Sequence, residues 1–406
     1  MNDSGIGWIG EYPSSWKLER LQWHLFEINE KNNPIKTTNV LSLTNKKGVI
    51  PYEEKGYQGN NSKENYNEYK IAYKNTIIVN SMNVLIGSVG YSNYTGCVSP
   101  VYYVFKEKQN NDLRFLNYIF QTLGFQRELR KYANGILEIR LRVSSNDILK
   151  RLVVIPPFNE QNAIADFLDK KCFEIDALIR DIESQISLLK KYRIQFLDDT
   201  LKSSQKIKLG YIGVFQNGSN FSTSELANNV PFLGVGDFKD KIVISSLDDL
   251  SLVPISSYVS PSSYLKNEDI VFVRSNGSKD LVGRSILIKN LKSKVTFSGF
   301  CIRFRKNTNE FISKFLVYYF QSNTFRNEIN KESMGTNINN LSQDVLRNVY
   351  VPYVAFEEQK RIVSLIEKKI MNIDEIIDLK NKQINVLFEY KKSLIYEYVT
   401  GKKVVK

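Results

Sequence analysis

The chain has 406 residues, of which 42% are hydrophobic and 12% aromatic, enough for two globular domains with sizeable cores. Three scattered cysteines (Cys97, Cys172, Cys301) and one histidine, His24, argue against a disulfide framework or a zinc centre. The net charge of +13 points to a polyanionic partner, most simply nucleic acid, and the lack of any uncharged apolar run of about 18 residues predicts a soluble, cytoplasmic protein with no membrane partner.

Residues 1–25 form an aromatic-rich entry in which Trp8 and Trp16 flank a Pro-Ser-Ser turn. Short strands are expected at Val40-Leu41-Ser42-Leu43, at Thr76-Ile77-Ile78-Val79-Asn80 and at Pro100-Val101-Tyr102-Tyr103-Val104-Phe105. Between the last two, GSVGYSNYTG (87–96) reads as a long polar loop, and DLRFLNYIFQTLGFQRELRKY (112–132) reads as one amphipathic helix. Val153-Val154-Ile155-Pro156-Pro157 closes the unit, with Asn159 as the expected cap of a long helix. In that helix Leu168, Cys172, Ile175, Ile179, Ile182, Ile186 and Leu189 follow one another in steps of four and three, the period of a coiled-coil seam.

The second half retraces the first. Val230–Val235 and Asp269–Val273 are strand-like, and the latter runs into a polar loop, RSNGSKDLVGR (274–284). Phe115, Leu116, Tyr118, Phe120, Gln121 and Phe125 recur as Phe315, Leu316, Tyr318, Phe320, Gln321 and Phe325. The seam recurs 198 residues on as Ile366, Ile370, Ile373, Ile377, Ile384 and Leu387, with Lys380 in the slot of Ile182. Phe158, Gln161 and Tyr192 keep the same register with Phe356, Gln359 and Tyr390. A repeat of this length means one structural unit built twice. The expected fold is α+β: globular domains over 1–157 and 204–355, joined by long helices over 158–203 and 356–406. Helices of about 40 residues would each be about 60 Å long. Packing the two seams as an antiparallel coiled coil gives an internal pseudo-two-fold repeat.

Charge is unevenly placed. Residues 158–203 carry seven Lys/Arg against nine Asp/Glu, and 356–406 carry eleven against eight, so the remaining segments hold +12 of the +13. Catalytic motifs are absent. There is no phosphate-binding G-x-x-x-x-G-K-[ST], and a single histidine leaves no Ser-His-Asp triad. Ile155-Pro156-Pro157-Phe158 lacks the polar residue with which amino-group methyltransferases hold the target amine, and Glu68-Tyr69-Lys70 has no partner aspartate of a nuclease centre. No catalytic and no metal-ligating residue is assigned. Binding chemistry remains. Asn83, Ser88, Tyr91, Asn93 and Tyr94 in the first half, and Arg274, Ser275, Asn276, Ser278, Lys279 and Arg284 in the second, are residue types that stack on bases or read their edges. Lys46, Lys47 and Lys239 suit phosphates.

The order of units, together with IPPFNEQNAIADFLDKKCFEIDALI, its second copy VAFEEQKRIVSLIEKKIMNIDEII and the opening IGWIGEYPSSWKLERL, resembles the DNA-specificity subunit of type I restriction–modification systems over essentially the whole chain. The second helix departs from the pattern in its approach, VPYVAFEEQ, which has two more residues ahead of Gln359. The resemblance implies that each globular unit is a target-recognition domain for half of a split, asymmetric site in double-stranded DNA. It implies that the helix pair sets the gap between half-sites, which present the same face roughly 34–36 Å apart when one helical turn separates them. It further implies two docked adenine-N6 methyltransferase subunits and added motor-nuclease subunits. S-adenosylmethionine, ATP and Mg²⁺ would be used by those partners and none by this chain. Two other readings stay open at this stage. A fused methyltransferase or nuclease would need a methyl-donor pocket or a carboxylate cluster. A coiled-coil adaptor joining two protein-binding domains would have no salt-sensitive DNA affinity.

Overall fold

The computed structural model describes residues 1–44, 48–56, 65–108, 110–134, 141–221, 229–238, 241–255, 259–278, 281–291, 293–332 and 340–405. The fold is α+β, in two compact units. One takes Met1–Ile182 with Asn381–Lys406, and the other takes Glu183–Lys380. The long helices begin at Phe158 and Phe356 and run Phe158–Thr200 and Phe356–Val399, so each unit owns a part of both. The compact units therefore cut across the linear division of the sequence, because each globular core is completed by the start of one helix and the end of the other. Asn159 lies inside the first helix rather than capping it. The Pro157 carbonyl already accepts from the amides of Glu160 and Gln161.

In the first unit an antiparallel sheet has the order Leu25–Ile28, Tyr102–Glu107, Thr76–Asn80, Val89–Ser92. Its centre is apolar on both faces, which is why Ile77, Ile78 and Val79 run without alternation. Ile77 and Val79 join Phe105, Phe115, Phe120 and Phe125 on one side. Ile78 and Val104 meet Leu41, Leu43, Val49 and Val98 on the other. The stretch expected as a loop over 87–96 is half strand: Val89–Ser92 joins this sheet and Gly96–Val98 pairs with Lys70–Ala72. Gly90 is there for packing. A Cβ at that position would lie 3.0 Å from both Leu43 Cδ1 and Val49 Cγ2. The single helix expected over 112–132 is two, Leu113–Gln121 and Leu123–Arg130. Thr122 is extended between them, and its hydroxyl accepts from the Phe125 amide as an N-cap.

The second unit repeats the plan. Its sheet runs Gly213–Asn217, Cys301–Lys306, Ile270–Val273, Ser285–Ile288, with the short Val243–Ile244 strand added parallel at the edge. Ile270 and Phe272 face Phe315, Phe320 and Phe325. Val271 and Val273 face a second cluster with Leu233, Phe238, Ile286 and Phe297. Helices Ser313–Tyr319 and Asn323–Glu332 again break at a hydroxyl residue, Ser322, which caps through the Phe325 amide. A two-stranded ribbon leads into each long helix, Leu152–Ile155 on Lys17–Arg20 in one unit and Tyr350–Pro352 on Lys206–Lys208 in the other.

Within each unit the two helix segments run antiparallel. In the first, Phe167 packs on Tyr398 with ring centroids 4.5 Å apart, and Asp176 accepts twice from Lys391, at 2.7 and 2.8 Å. In the second, Gln185 bonds Lys380, and Arg193 donates to Asp374 at 3.0 Å. Partner numbers fall as residue numbers rise, which defines the direction. Leu168, Cys172, Ile175, Ile179, Ile366, Ile370 and Ile373 are buried, and Ile182, Ile186, Leu189, Ile377, Ile384 and Leu387 are half-buried. Leu197, Leu201, Leu394, Ile395 and Val399 extend the buried stripes beyond the spacing that defines the seam. Among the described residues no helix is long and apolar enough to cross a membrane.

Candidate nucleic-acid interface

Each globular unit is fixed to a long helix by a buried glutamine. Gln161, 2% exposed, accepts from the Asp112 amide at 3.0 Å and donates to the Pro156 carbonyl at 3.0 Å. Gln359, 0% exposed, accepts from the Ile312 amide at 2.9 Å and donates to the carbonyls of Glu310 and Val354 at 2.8 and 3.0 Å. The two carbonyls Pro156 and Val354 each lie five residues before their glutamine. The longer approach to the second helix is therefore absorbed ahead of Val354, and the glutamine keeps its place. An ion pair repeats beside this clamp. Arg114 reaches Asp166 at 2.7 Å and Asp169 at 3.0 Å, and Lys314 reaches Glu367. Tyr118 adds a bond from its hydroxyl to Asp169 at 2.7 Å.

On this frame the polar residues singled out from sequence take unlike positions. Lys46, Lys47, Lys239 and Lys279 lie outside the described residues. Ser88 is only 3% exposed and does not present its side chain at the surface. Its amide bonds the Asn83 carbonyl and its carbonyl accepts from the Asn80 amide, which turns it inward at the hairpin's closure. Tyr91 is half-buried against the core, and its hydroxyl donates to Asn75 at 2.7 Å. Burial raises its pKa above the ordinary phenol value. Asn93 and Tyr94 are exposed at the turn after the Val89–Ser92 strand, whereas exposed Asn83 stands at the other end of that hairpin. The first group of residues is thus not one site. In the second unit Arg274, Ser275, Asn276 and Arg284 are half-buried and Ser278 is exposed, all at the one end where Ile270–Val273 turns back into Ser285–Ile288.

Hydrogen bonds show which segments correspond. The Asn80 amide bonds the Ser88 carbonyl as the Val273 amide bonds that of Arg284. The Val143 amide bonds the Ser81 carbonyl as the Leu341 amide bonds that of Arg274. The counterpart of 274–284 is therefore 81–88, and not 87–96. Asn83 falls opposite Asn276, and Arg142 opposite Asn340. Arg142 and Asn340 are both exposed, and sequence reasoning missed both. Aligning the halves at the helix register, 198 residues apart, already pairs them and was the available signal.

Two cations of the second unit serve the fold. Arg305 makes two bonds of 2.6 Å to Asp269. Arg303, 4% exposed, donates to the Ser262 carbonyl at 2.8 Å and to Gln216 at 2.7 Å, and burial lowers its pKa from the ordinary guanidinium value. Among the described residues no group of three His, Cys, Asp or Glu is placed to hold a metal ion.

Two copies of one α+β unit, each clamped to a long helix and each ending in a polar corner of different sequence, define the class of modular DNA-recognition subunits. The family model of the type I restriction modification DNA specificity domain matches residues 13–188 and again 202–401, and the chain belongs to that family. It is 24% identical to the type I restriction enzyme MjaVIII specificity subunit of Methanocaldococcus jannaschii, over 97% of this chain and 94% of that protein. It is 27% identical to the StySPI specificity subunit of Salmonella potsdam over 66% and 60% of the two chains. A solved structure described as the basis of complex assembly and conformational transition in the type I R-M system superposes with a TM-score of 0.74 at 14% identity, covering 97% of this chain and all of that one. The HsdS subunit from Thermoanaerobacter tengcongensis gives 0.53 at 15% identity, over 99% and 100%.

Proposed function

We propose that this chain is the DNA sequence-specificity subunit of a type I restriction–modification complex, acting in the cytoplasm without catalytic chemistry of its own. Each unit reads one half of a bipartite site in double-stranded DNA. The observation that carries this is the same frame presenting unlike corners, SMNVLIGS (81–88) in one unit and RSNGS (274–278) in the other, so the two half-sites differ. Adenine-N6 methyltransferase subunits, two per chain, dock on the long helices, and motor-nuclease subunits complete the restriction enzyme. S-adenosylmethionine, ATP and Mg²⁺ belong to those partners. The docking is supported by apolar side chains left exposed at matching repeat positions: Phe173, Leu178, Val386 and Tyr390 in one unit, and Met371, Ile376, Leu188 and Tyr192 in the other.

The test is selection of bound DNA from a randomised duplex pool, using the chain copurified with its methyltransferase. Two short, unlike motifs enriched at one fixed spacing are expected. No enrichment and no salt-sensitive binding would overturn the reading. Replacing Leu178 and Ile376 together with glutamate should release the methyltransferase while leaving the fold intact.

A further inference from the structure

Building on the DNA-reading function above, we propose that each unit meets DNA through the corner at the end of its central strand. In the first unit that corner is 82–87 with Arg142. In the second it is Arg274–Ser278 with Asn340. Asn83 and Asn276 are the base-reading residues, Arg142 and Arg274 are the cations of the two corners, and the Asn93–Tyr94 turn takes no part.

Three observations carry this. First, the two corners are equivalent by hydrogen bonding, through Val143 to Ser81 and Leu341 to Arg274, so one docking mode serves both units. Asparagine stands at the same place in both, although the residues around it differ. Its amide offers a donor and an acceptor side by side, which fits the adenine edge in the major groove. The Asn83 side chain is exposed and does not cap the short turn Val84–Ile86 that follows it. Asn276 is half-buried and is held by accepting from the Ser278 amide at 2.8 Å, a bond that does not use its NH₂ group.

Second, charge and shape favour these corners. Arg142 is exposed, and its guanidinium donates to the Met82 sulfur at 3.6 Å. The Arg274 backbone is pinned on both sides, by Phe300 and Leu341 at 2.7 Å each, which fixes where its side chain starts. An apolar side chain stands exposed at each corner, Ile86 in one and Phe300 in the other, suited to a thymine methyl or a sugar face. Helix residues brace both corners from behind. A Cβ on Gly87 would lie 3.0 Å from Gln126 Nε2, and one on Gly283 3.4 Å from Arg326 Nη1, with both glycines at positive φ.

Third, the opposite turn is tied down through its backbone and Thr95. Ser92 Oγ donates to the Tyr94 carbonyl at 2.8 Å, the Lys74 amide donates to Thr95 Oγ1 at 3.0 Å, and Asn39 donates to the Thr95 carbonyl at 2.9 Å. The neighbouring Lys36 is paired with Glu30, which also takes the Tyr73 hydroxyl at 2.8 Å.

The experiment is the same duplex selection, followed by binding titrations at several salt concentrations, on the full chain with its methyltransferase. Asn83→Ala should lose about 5- to 150-fold of discrimination at one position of one half-site. Asn276→Ala should do so at one position of the other. Arg142→Ala should weaken binding to all sequences and reduce the salt slope by about one. Asn93→Ala with Tyr94→Ala should leave both unchanged. All five replacements, in four variants, are at or near the surface, and an unchanged urea midpoint verifies the fold of each. Wild-type selectivity that survives Asn83→Ala and Asn276→Ala, or falls with the Asn93/Tyr94 pair, overturns the corner assignment while leaving the DNA-reading function standing. A wild-type chain that binds no DNA overturns both.

Discussion

Replacing Gln161 with leucine tests whether the glutamine clamp holds a recognition domain on its helix. The side chain is 2% exposed, and its loss strands the Asp112 amide and the Pro156 carbonyl in the interior. A buried donor left without a partner costs about 1–3 kcal/mol, and a carbonyl that keeps a second lone pair costs less. Leucine returns part of this through its own burial, so a net loss of about 1–3 kcal/mol is expected. All three tryptophans, Trp8, Trp16 and Trp23, sit in the unit that Gln161 serves. Their fluorescence therefore reports that unit alone, while circular dichroism reports both. With a urea slope near 2 kcal/mol/M, the fluorescence midpoint should fall by about 1 M. Gln359→Leu should instead lower a transition seen by circular dichroism, with the larger effect outside the tryptophan signal. An unchanged fluorescence midpoint in Gln161→Leu would refute the clamp, since no buried group would then have lost a needed partner.

Ile179→Asp should disrupt helix pairing by several kcal/mol, because Ile179 is buried and a carboxylate there has no partner, and Ile377→Asp should cost less at its half-buried site; urea midpoints rank the two. Arg274→Ala should remove about 1–3 kcal/mol of discrimination at one position of the second half-site if the guanidinium meets a base. A uniform loss across sequences would make it a phosphate contact. Burial pushes the Cys172 thiol up to about 11 and that of Cys301 up to about 12. Both should resist thiol reagents at pH 8 until urea is added. The unfolded chain gives up these protons near pH 9 while the fold retains them, so stability should fall as pH rises from about 9 towards 11, as a pH series of urea midpoints would show.

The long helices were legible because a seven-residue apolar period is a strong signal over some forty residues, and the repeat doubled it. What misled lay in the glycines and hydroxyl residues. Gly90 looked like loop punctuation, yet the strand needs it so that Leu43 and Val49 can approach. Thr122 sat inside a convincing amphipathic stretch, but its hydroxyl starts a new helix. The polar site was the least legible part. Composition marks Tyr91 and Ser88 as surface-binding types, whereas register turns one onto the core and buries the other. Arg142 was passed over for the opposite reason, since nothing in its local sequence marks it out. Only the hydrogen bond from Val143 to Ser81 brings its segment to Asn83.

The ion pair beside the glutamine clamp makes the two joints alike. In both units the cation is on the first short helix, Leu113–Gln121 or Ser313–Tyr319, and the carboxylate on the long helix, Arg114 facing Asp166 and Asp169, and Lys314 facing Glu367. A recognition domain exchanged from one helix to the other would meet an opposite charge in its new seat, and so would a domain inherited from another lineage with the same polarity. Such partly exposed pairs add little stability. What they preserve is compatibility: the cation of either domain matches the carboxylate of either long helix.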